Sequence, residues 1–448
     1  MGTLAWVTST CTARGYEQKL QIRRGNCDPV TVLDFPEPLP APPCNLIGNT
    51  RFGFTSAPVT GAFHRLGVTP DGRRVVFEVT DDFSLLAPDR LVTPNDEGIF
   101  VVHADGRGRR RIGPASRDAS FSVLQDVTAG GFRAFVYTPL SFRPKGASVV
   151  LTDLGPGPGG KEAIQIFTLD IASGKRTQLT HLPFEPDHPV GRVSLQKGTC
   201  CPVFLNDGRI SFLSFIDIDG LNPERHQVEF VMNPDGSGLE RVPQPVAAGG
   251  QVLPIFETTR AGSRRRATVL ALPGVPVNAE AGTTISEIFF FDGKALLQLT
   301  NFRRTDTTTP NLTPDGKRVI FASSADPLHK NPTGTCQLFS IGTAATGLRQ
   351  LTRFSSPEHS ALGCLQITPP GCRILPYGLE PSTGTLVFYS TCDPFGTNPY
   401  GDQLFTISSN GTHLRQLTRA RGLFTDAGGS VSAENIGPIG HSPIVGQY

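Results

Sequence analysis

Two segments of this chain, about 240 residues apart, carry nearly the same sequence: GVTPDGRRVVFEV (67–79) and NLTPDGKRVIFAS (311–323). In Thr313-Pro314-Asp315-Gly316, proline sets φ, aspartate favours a turn, and glycine takes the left-handed position that closes a bulged hairpin. The strand that follows is apolar at consecutive positions, as expected for a strand covered on both faces. The phrase therefore predicts a repeated β-hairpin.

Looser copies of this hairpin occur at 203–214, 379–390 and 123–137, with a degenerate copy at 256–271. A second phrase follows each hairpin: a strand of large apolar residues, a Gly-containing turn, and a short strand that usually ends in Leu-Thr. Its copies are at 98–113, 165–180, 229–243, 287–300, 337–352 and 403–418. Two hairpins per repeat give four antiparallel strands, and the chain holds six such repeats.

A single four-stranded sheet of this kind cannot cover its two apolar faces, whereas a ring of stacked sheets covers both and leaves few exposed edges. A row of β-sandwich domains is the alternative, but sandwiches do not repeat the same turn at the same place. We therefore expect an all-β fold, a six-bladed β-propeller of four-stranded antiparallel blades with an irregular N-terminal arm. The expected domains are an extended Pro-rich arm (1–60), the propeller (61–420), and a C-terminal tail (421–448) that packs on or closes it.

The repeat resembles that of TolB-type β-propellers over about residues 63–418. The shared features are the Ser/Thr-Pro-Asp-Gly hairpin, the apolar strands, the Asp-Gly turn and the Leu-Thr ending. Members of this family are mostly bacterial envelope or secreted proteins that serve as protein-binding platforms. Similar repeats form the propeller of prolyl-oligopeptidase-like enzymes and, in some relatives, metal-dependent polysaccharide lyases. TolB has an α/β domain before its propeller, whereas only about sixty residues precede the repeats here.

Composition narrows the possible partners and the compartment. The net charge of +2 provides no strong field to attract nucleic acid, and no apolar run is long enough to cross a bilayer. Nine cysteines without a C-x-x-C pair favour disulfides in an oxidising compartment over a zinc site. We therefore expect a monomer without a cofactor, in the periplasm or outside the cell, although the N-terminus lacks a convincing signal peptide.

The cysteine positions predict two particular disulfides. Cys336 and Cys392 adjoin equivalent loops of neighbouring blades and are expected to bridge. Cys364 and Cys372 flank one connection and are expected to staple it. The adjacent Cys200 and Cys201 would form a strained eight-membered ring, so they are expected to pair elsewhere or stay reduced.

Two acid–imidazole pairs, Asp187-His188 and Glu358-His359, follow Leu-Thr endings and lead into the next blade. Connections of this kind rim the central channel of a propeller, where two such pairs can bind a divalent metal or a basic peptide terminus. The simpler interpretation is that the acids cap tight turns and the histidines are exposed beside them. We favour the simpler interpretation, because two residues that recur in a repeat protein can reflect shared ancestry alone.

Hydrolase motifs are missing from the sequence, and Gly440-His441-Ser442-Pro443-Ile444 lacks the final glycine of a nucleophile elbow. Our first hypothesis is a non-enzymatic scaffold that binds a protein or peptide through one face of the ring. The second is a metal-dependent hydrolase or polysaccharide lyase with its site at the channel mouth. The first is favoured, without a named partner.

Overall fold

The computed structural model describes residues 2–12, 15–25, 27–34, 63–79, 97–116, 122–123, 134–135, 140–144, 146–184, 199–205, 207–223, 228–242, 255–261, 265–278, 284–355, 364, 372–380, 383–397, 403–425 and 431–442. In these ranges the regular structure is β-strand apart from a 3-10 turn at Pro158–Gly160 and the 3-10 residue Cys364. Within the same ranges, no helix is long and apolar enough to cross a membrane.

The chain divides into two compact units. The first unit comprises Met1–Ile47, Ala57–Gln244 and Gly437–Pro443. Its strands are β1 (Thr3–Thr12), β2 (Gly15–Arg24), β3 (Val30–Asp34), β4 (Phe63–Val68), β5 (Arg74–Val79), β6 (Gly98–His103), β7 (Arg110–Gly113), β8 (Ser122–Val123), β9 (Ala134–Phe135), β10 (Ser141–Phe142), β11 (Ser148–Pro156), β12 (Glu162–Asp170), β13 (Arg176–Gln178), β14 (Thr199–Phe204), β15 (Ile210–Ser214), β16 (Val228–Met232) and β17 (Glu240–Arg241).

The second unit comprises Gly48–Ser56, Pro245–Ile436 and Ile444–Tyr448. Its strands are β18 (Ile255–Ala261), β19 (Arg265–Pro273), β20 (Thr284–Phe291), β21 (Leu296–Gln298), β22 (Thr308–Leu312), β23 (Arg318–Ser323), β24 (Gln337–Gly342), β25 (Arg349–Gln350), β26 (Ile374–Leu379), β27 (Thr385–Ser390), β28 (Gln403–Ser408), β29 (Arg415–Gln416) and β30 (Gly422–Thr425), with β31 (Val431–Ser442), whose last residues belong to the first unit.

Six four-stranded antiparallel sheets correspond to the six predicted repeats. We number them in chain order: blade 1 is β4–β7, blade 2 is β10–β13, and blade 3 is β14–β17. Blade 4 is β18–β21, blade 5 is β22–β25, and blade 6 is β26–β29. The prediction that 123–137 forms the first hairpin of blade 2 is wrong. The first two strands of that blade are β10 and β11, whereas β8 and β9 form a separate two-stranded ladder.

A seventh sheet makes the predicted count of six blades wrong. Its strand order is β3-β2-β1-β31-β30, so it combines N-terminal with C-terminal strands. The irregular N-terminal arm is wrong for the same reason, because Thr3–Thr12 and Gly15–Arg24 are long paired strands. The repeat count missed this sheet because its strands do not carry the Pro-Asp-Gly hairpin. The fold therefore has seven blades, six of four strands and one of five.

The repeated Thr-Pro-Asp-Gly phrase forms the predicted hairpin in blades 1 and 5. Gly72 and Gly316 have φ values of 67° and 65°, which glycine adopts without steric cost. Within the same turn, the Thr313 hydroxyl donates to Asp315 Oδ1 at 2.7 Å and accepts from the Arg318 backbone N–H at 3.0 Å. Both bonds recur at Thr69. The two matching sequences therefore form the same local structure.

The second and third strands of the blades form the core, and phenylalanines pair across them. In four blades two phenylalanines lie directly opposite each other with their rings stacked, an arrangement that stabilises neighbouring strands. These pairs are Phe77–Phe100, Phe212–Phe230, Phe321–Phe339 and Phe388–Phe405, with ring centroids 5.4 to 5.9 Å apart. Residues of blades 5 and 6 share one buried cluster, so these neighbouring blades pack face to face.

Each four-stranded blade has two different ends. The turns between its first and second strands and between its third and fourth strands lie at one end, which we call the turn end. The loop between its second and third strands and the connections to neighbouring blades lie at the other end, which we call the loop end.

Candidate interaction surface

Exposed apolar side chains are concentrated at the loop ends. Among the described residues eight large apolar side chains are well exposed, and five of them lie in loop-end segments. A partner that covers exposed apolar area removes it from water, so segments in which such side chains recur are candidates for contact. The five are Phe184 and Leu221 in the first unit and Val275, Val277 and Phe395 in the second.

The described turn ends are mostly polar, and the exposed Leu239 is the exception among their large apolar residues. In most turns an Asp or Asn side chain accepts the backbone N–H two residues further on, as Asp315 does from Lys317 at 3.1 Å and Asp235 from Ser237 at 3.0 Å. The hydrogen bond from the Thr313 hydroxyl is the main reason that the pKa of Asp315 lies below its usual value. The turn ends are therefore solvated and locally satisfied, which leaves the loop ends as the candidate surface.

A repeated hydrogen-bond clasp fixes the loop end in blades 2, 5 and 6. A buried glutamine at the start of the third strand accepts from the Leu-Thr threonine hydroxyl. In blade 5, Gln337 Oε1 accepts from Thr352 Oγ1 at 2.8 Å and from the Phe354 N–H at 3.0 Å, while its Nε2 donates to the Phe354 carbonyl at 2.7 Å. The same bonds surround Gln165 and Gln403. In blade 4, Glu287 replaces the glutamine and accepts from Thr300 at 2.5 Å.

The clasp explains why the repeats end in Leu-Thr. The structure of blade 1 also explains why that blade has neither the threonine nor the clasp. In blade 1 the threonine position is Gly113, and a Cβ added at Gly98, the glutamine position, would lie 2.8 Å from the Gly113 carbonyl. That connection is held differently: Arg65 donates to Ser116 Oγ at 2.6 Å, and Glu78 accepts from the Ser116 N–H. Arg65 and Glu78 form a fully buried ion pair at 3.2 Å.

The clasp also orients the residue that follows the threonine. Because the glutamine holds the backbone on both sides of this residue, its side chain extends outward, and it is exposed in all four blades that carry the threonine. The residues at this position are His181, Asn301, Arg353 and Arg419.

Hydrogen bonds brace the loop end of blade 4. Val277 N–H donates to the Arg303 carbonyl at 2.8 Å, and Asn278 and Thr305 exchange two hydrogen bonds of 2.9 and 3.0 Å. The next residue of this connection, Asp306, is fully buried and accepts from the Cys364 N–H at 2.8 Å and from Arg304 Nε at 3.1 Å. The exposed valines therefore lie on a loop that is tied to the connections of blades 5 and 6.

Two disulfides extend this bracing, but their pairing differs from the prediction. Cys336 bonds to Cys364, and Cys372 bonds to Cys392, with Cα atoms 4.6 and 4.4 Å apart. The predicted pairs Cys336–Cys392 and Cys364–Cys372 are wrong. The Cys372–Cys392 bond spans one hairpin, because Ile374 pairs with Ser390 two residues inside it. The bonds join the connection between blades 5 and 6 to the loop of each blade.

The adjacent Cys200 and Cys201 also differ from the prediction, because they are bonded to each other. They lie in β14, where the pairing with β15 shifts register between Cys200 and Val203. Cys201 has a φ of 57°, so the local backbone departs from an extended strand at the bond. Among the described cysteines, Cys27 is free and exposed.

The loop of blade 5 is held by its own side chains. Asp326 Oδ1 accepts from the N–H groups of Lys330 and Asn331 at 2.6 and 2.7 Å. The buried Asn331 side chain then donates to the Thr335 carbonyl at 2.8 Å and accepts from Gln337 Nε2 at 3.2 Å. This loop is thus connected directly to the clasp, and Lys330 is exposed beside it.

The predicted site residues Asp187, His188, Glu358 and His359 lie outside the described residues, so their role in ligand binding stays a prediction. In the part of the chain that the structure describes, no group of three or more His, Cys, Asp or Glu side chains is placed to hold a metal ion. Sequence reasoning missed Arg353, Phe395 and Arg419. The signal for the two arginines was available, because Leu-Thr-Arg occurs at 351–353 and again at 417–419.

Comparison with known proteins identifies the fold. The acylaminoacyl peptidase of Pyrococcus horikoshii aligns over 93% of this chain and 51% of its own, with 9% identity and a TM-score of 0.51. A prolyl endopeptidase structure aligns over 95% and 53%, with 10% identity and a TM-score of 0.50. With the seven sheets described above, these similarities decide the architecture. The fold is a β-propeller.

The similarities to known structures show the fold and do not assign a family. A putative TolB from Agrobacterium tumefaciens aligns over 98% of this chain and 99% of its own, with 9% identity and a TM-score of 0.38. The chain spans about half the length of the two peptidases that it matches. No protein-family model matches the sequence, and no curated protein sequence does either. TolB proteins and propeller peptidases are both among the structures to which this chain is similar.

Proposed function

We propose that this protein is a non-enzymatic β-propeller scaffold, periplasmic or extracellular, that binds another protein or a peptide through the loop ends of its blades. The unequal distribution of exposed apolar side chains is the observation that carries the proposal. Five of the eight in the described residues lie at loop ends, whereas one, Leu239, lies at a turn end. A partner that covers such side chains removes apolar area from water, which favours association.

The bracing of the loop ends supports the same function. Loops that are already fixed lose little conformational entropy when a partner binds, so more of the contact energy appears as affinity. In the second unit the clasp of Gln337, the buried Asp306 and the two disulfides provide this preorganisation. Disulfides persist in oxidising compartments, which supports the proposed location.

The experiment is a pull-down from envelope extract with three forms of the full chain, followed by mass spectrometry. The test variant is Val277→Ser/Phe395→Ser at loop ends of the second unit. The matched control is Leu239→Ser/Leu297→Ser, which removes two exposed apolar side chains elsewhere on blades 3 and 4. A partner retained by the wild type and the control but lost by the test variant supports the proposal. Equal retention by all three forms contradicts it.

A further inference from the structure

The loop ends of blades 5 and 6 carry two exposed arginines at equivalent positions. Arg353 and Arg419 each follow a Leu-Thr threonine, and in each blade the clasp glutamine accepts the N–H of the residue after the arginine, at 3.0 Å from Phe354 and 2.9 Å from Ala420. The two clasps have the same bonds, so both guanidinium groups extend from the same place on consecutive blades. These blades share one buried cluster.

An exposed aromatic ring lies at the loop end of blade 6, and a short series of contacts leads from it to the neighbours of both arginines. Phe395 is 49% exposed, and its ring centroid lies 6.5 Å from that of Phe405, which lies 6.5 Å from that of Phe354, the neighbour of Arg353. On the other side Thr397, in the same loop as Phe395, donates to Gln416 at 3.1 Å, and Gln416 donates to the Thr418 carbonyl at 2.7 Å. Thr418 directly precedes Arg419. We call Arg353, Phe395 and Arg419 the blade 5–6 patch.

Within the described residues, no ion pair joins Arg353 or Arg419 to a carboxylate. Among the described residues near it, the acids are engaged elsewhere: Asp306 pairs with Arg304, and Glu434 pairs with Arg421 at 3.0 Å. Asp393 Oδ1 accepts from the Thr397 N–H at 2.7 Å. In this part of the described chain, Arg353 and Arg419 therefore have no carboxylate partner, and the exposed Lys330 adds a third positive charge on blade 5.

We infer that the partner contributes an acidic segment in which an apolar side chain is flanked by carboxylates. This inference rests on the proposed function and names the chemistry of the partner. The apolar side chain packs on Phe395, while guanidinium groups pair with carboxylates through two parallel hydrogen bonds. With a net charge of +2, the chain has no strong field to attract a polyanion, which favours a short acidic peptide over nucleic acid or an anionic lipid surface.

The test uses the full chain and a labelled twelve-residue peptide in which a central leucine is flanked by glutamates on both sides. Its control is the same peptide with glutamine in place of glutamate. Binding is measured by fluorescence anisotropy at two salt concentrations, since exposed ion pairs are screened by salt. Single-stranded DNA and phosphatidylglycerol vesicles are measured in parallel.

The variant Arg353→Gln/Arg419→Gln should weaken binding of the acidic peptide about five- to thirtyfold, as expected for the loss of two exposed ion pairs. The matched control is Arg349→Gln/Arg415→Gln, which removes the same charge from exposed residues of the fourth strands of the same two blades. It should leave the affinity within about twofold of the wild type.

Three results would overturn the inference: equal binding of the acidic and glutamine peptides, equal effects of the two arginine variants, or no measurable binding of the acidic peptide. Tighter binding of DNA or vesicles with the same dependence on Arg353 and Arg419 would overturn the assignment to a peptide. These failures are distinguishable from failure of the proposed function, because the pull-down tests the apolar side chains alone. A partner lost on Val277→Ser/Phe395→Ser but retained by Arg353→Gln/Arg419→Gln would leave the scaffold proposal intact.

Discussion

The clasp of blade 5 allows a quantitative prediction for Thr352→Val, a change that removes one hydroxyl and preserves the shape of the side chain. The Thr352 hydroxyl donates to Gln337 Oε1 and accepts from the Leu338 N–H at 2.9 Å. Gln337 Oε1 still accepts from Phe354 after the substitution, so the main cost is one buried N–H without an acceptor. Together with the lost hydroxyl bond, this destabilises the clasp by about 2–3 kcal/mol.

Hydrogen exchange followed by mass spectrometry measures this effect locally, which matters because a chain with two compact units need not unfold in one step. The amide of Leu338 should exchange about 30- to 140-fold faster in Thr352→Val than in the wild type, since 1.4 kcal/mol corresponds to a factor of ten. Thr352→Ser keeps the hydroxyl and loses a methyl group, worth about 0.8 kcal/mol, so it should accelerate exchange only about fourfold. If Thr352→Ser has the larger effect, the hydroxyl does not hold the loop end and our explanation of the Leu-Thr ending is wrong.

Two further predictions concern charged groups. Glu78→Gln removes the carboxylate that pairs with the buried Arg65 and should destabilise the first unit by about 3–5 kcal/mol, measured by denaturant titration with the fluorescence of Trp6. The control Asp207→Asn breaks an exposed ion pair and should cost less than about 1 kcal/mol. Equal costs would contradict the role assigned to the Arg65–Glu78 pair. The pKa of Asp315 is lower in the folded than in the unfolded protein, so the ionised carboxylate stabilises the fold above the usual pKa of 3.8, and this stabilisation is lost as the pH falls through the folded pKa. The difference in unfolding free energy between wild type and Asp315→Asn should therefore shrink from pH 6 to pH 3. A difference that grows over this range would refute the assignment.

The sequence predicted both hairpins of five blades and the second hairpin of blade 2, because the information for a hairpin lies within a short segment. The turn at Thr313–Gly316 depends on a proline, an aspartate and a glycine in four consecutive positions, and their requirements are local. The consecutive apolar residues of the second strands likewise predict strands buried on both faces, and Val319, Ile320 and Phe321 are fully buried. The repeats alone therefore predict a β-propeller.

The seventh blade was not predictable in the same way. Thr3–Thr12 and Val431–Ser442 belong to one sheet although more than 400 residues separate them in the sequence. Pairing over such a separation depends on where the rest of the chain places the two strands. No turn phrase joins them, so counting phrases gives six blades instead of seven.

The pairing of the cysteines could not be predicted from the sequence, for a different reason. Four cysteines allow three pairings, and the sequence alone does not choose among them. Comparing equivalent loops of neighbouring blades suggested Cys336–Cys392, whereas the register of one hairpin places Cys372 opposite Cys392. The candidate surface was missed for a related reason. The sequence shows a basic residue after Leu-Thr, but only the clasp shows that its side chain extends outward and can contact a partner.

The mixed sheet has a consequence for biosynthesis. In the sequence β1 precedes its neighbour β31 by more than 400 residues, so one edge of β1 stays without its partner while the residues between the two strands are translated. Leu4 and Trp6 of β1 are buried in the finished sheet, and an unpaired strand with such residues is prone to associate with other chains. Chains that end before residue 431 would therefore expose an unpaired edge of β1. Such truncated chains should aggregate even when all six repeats are intact.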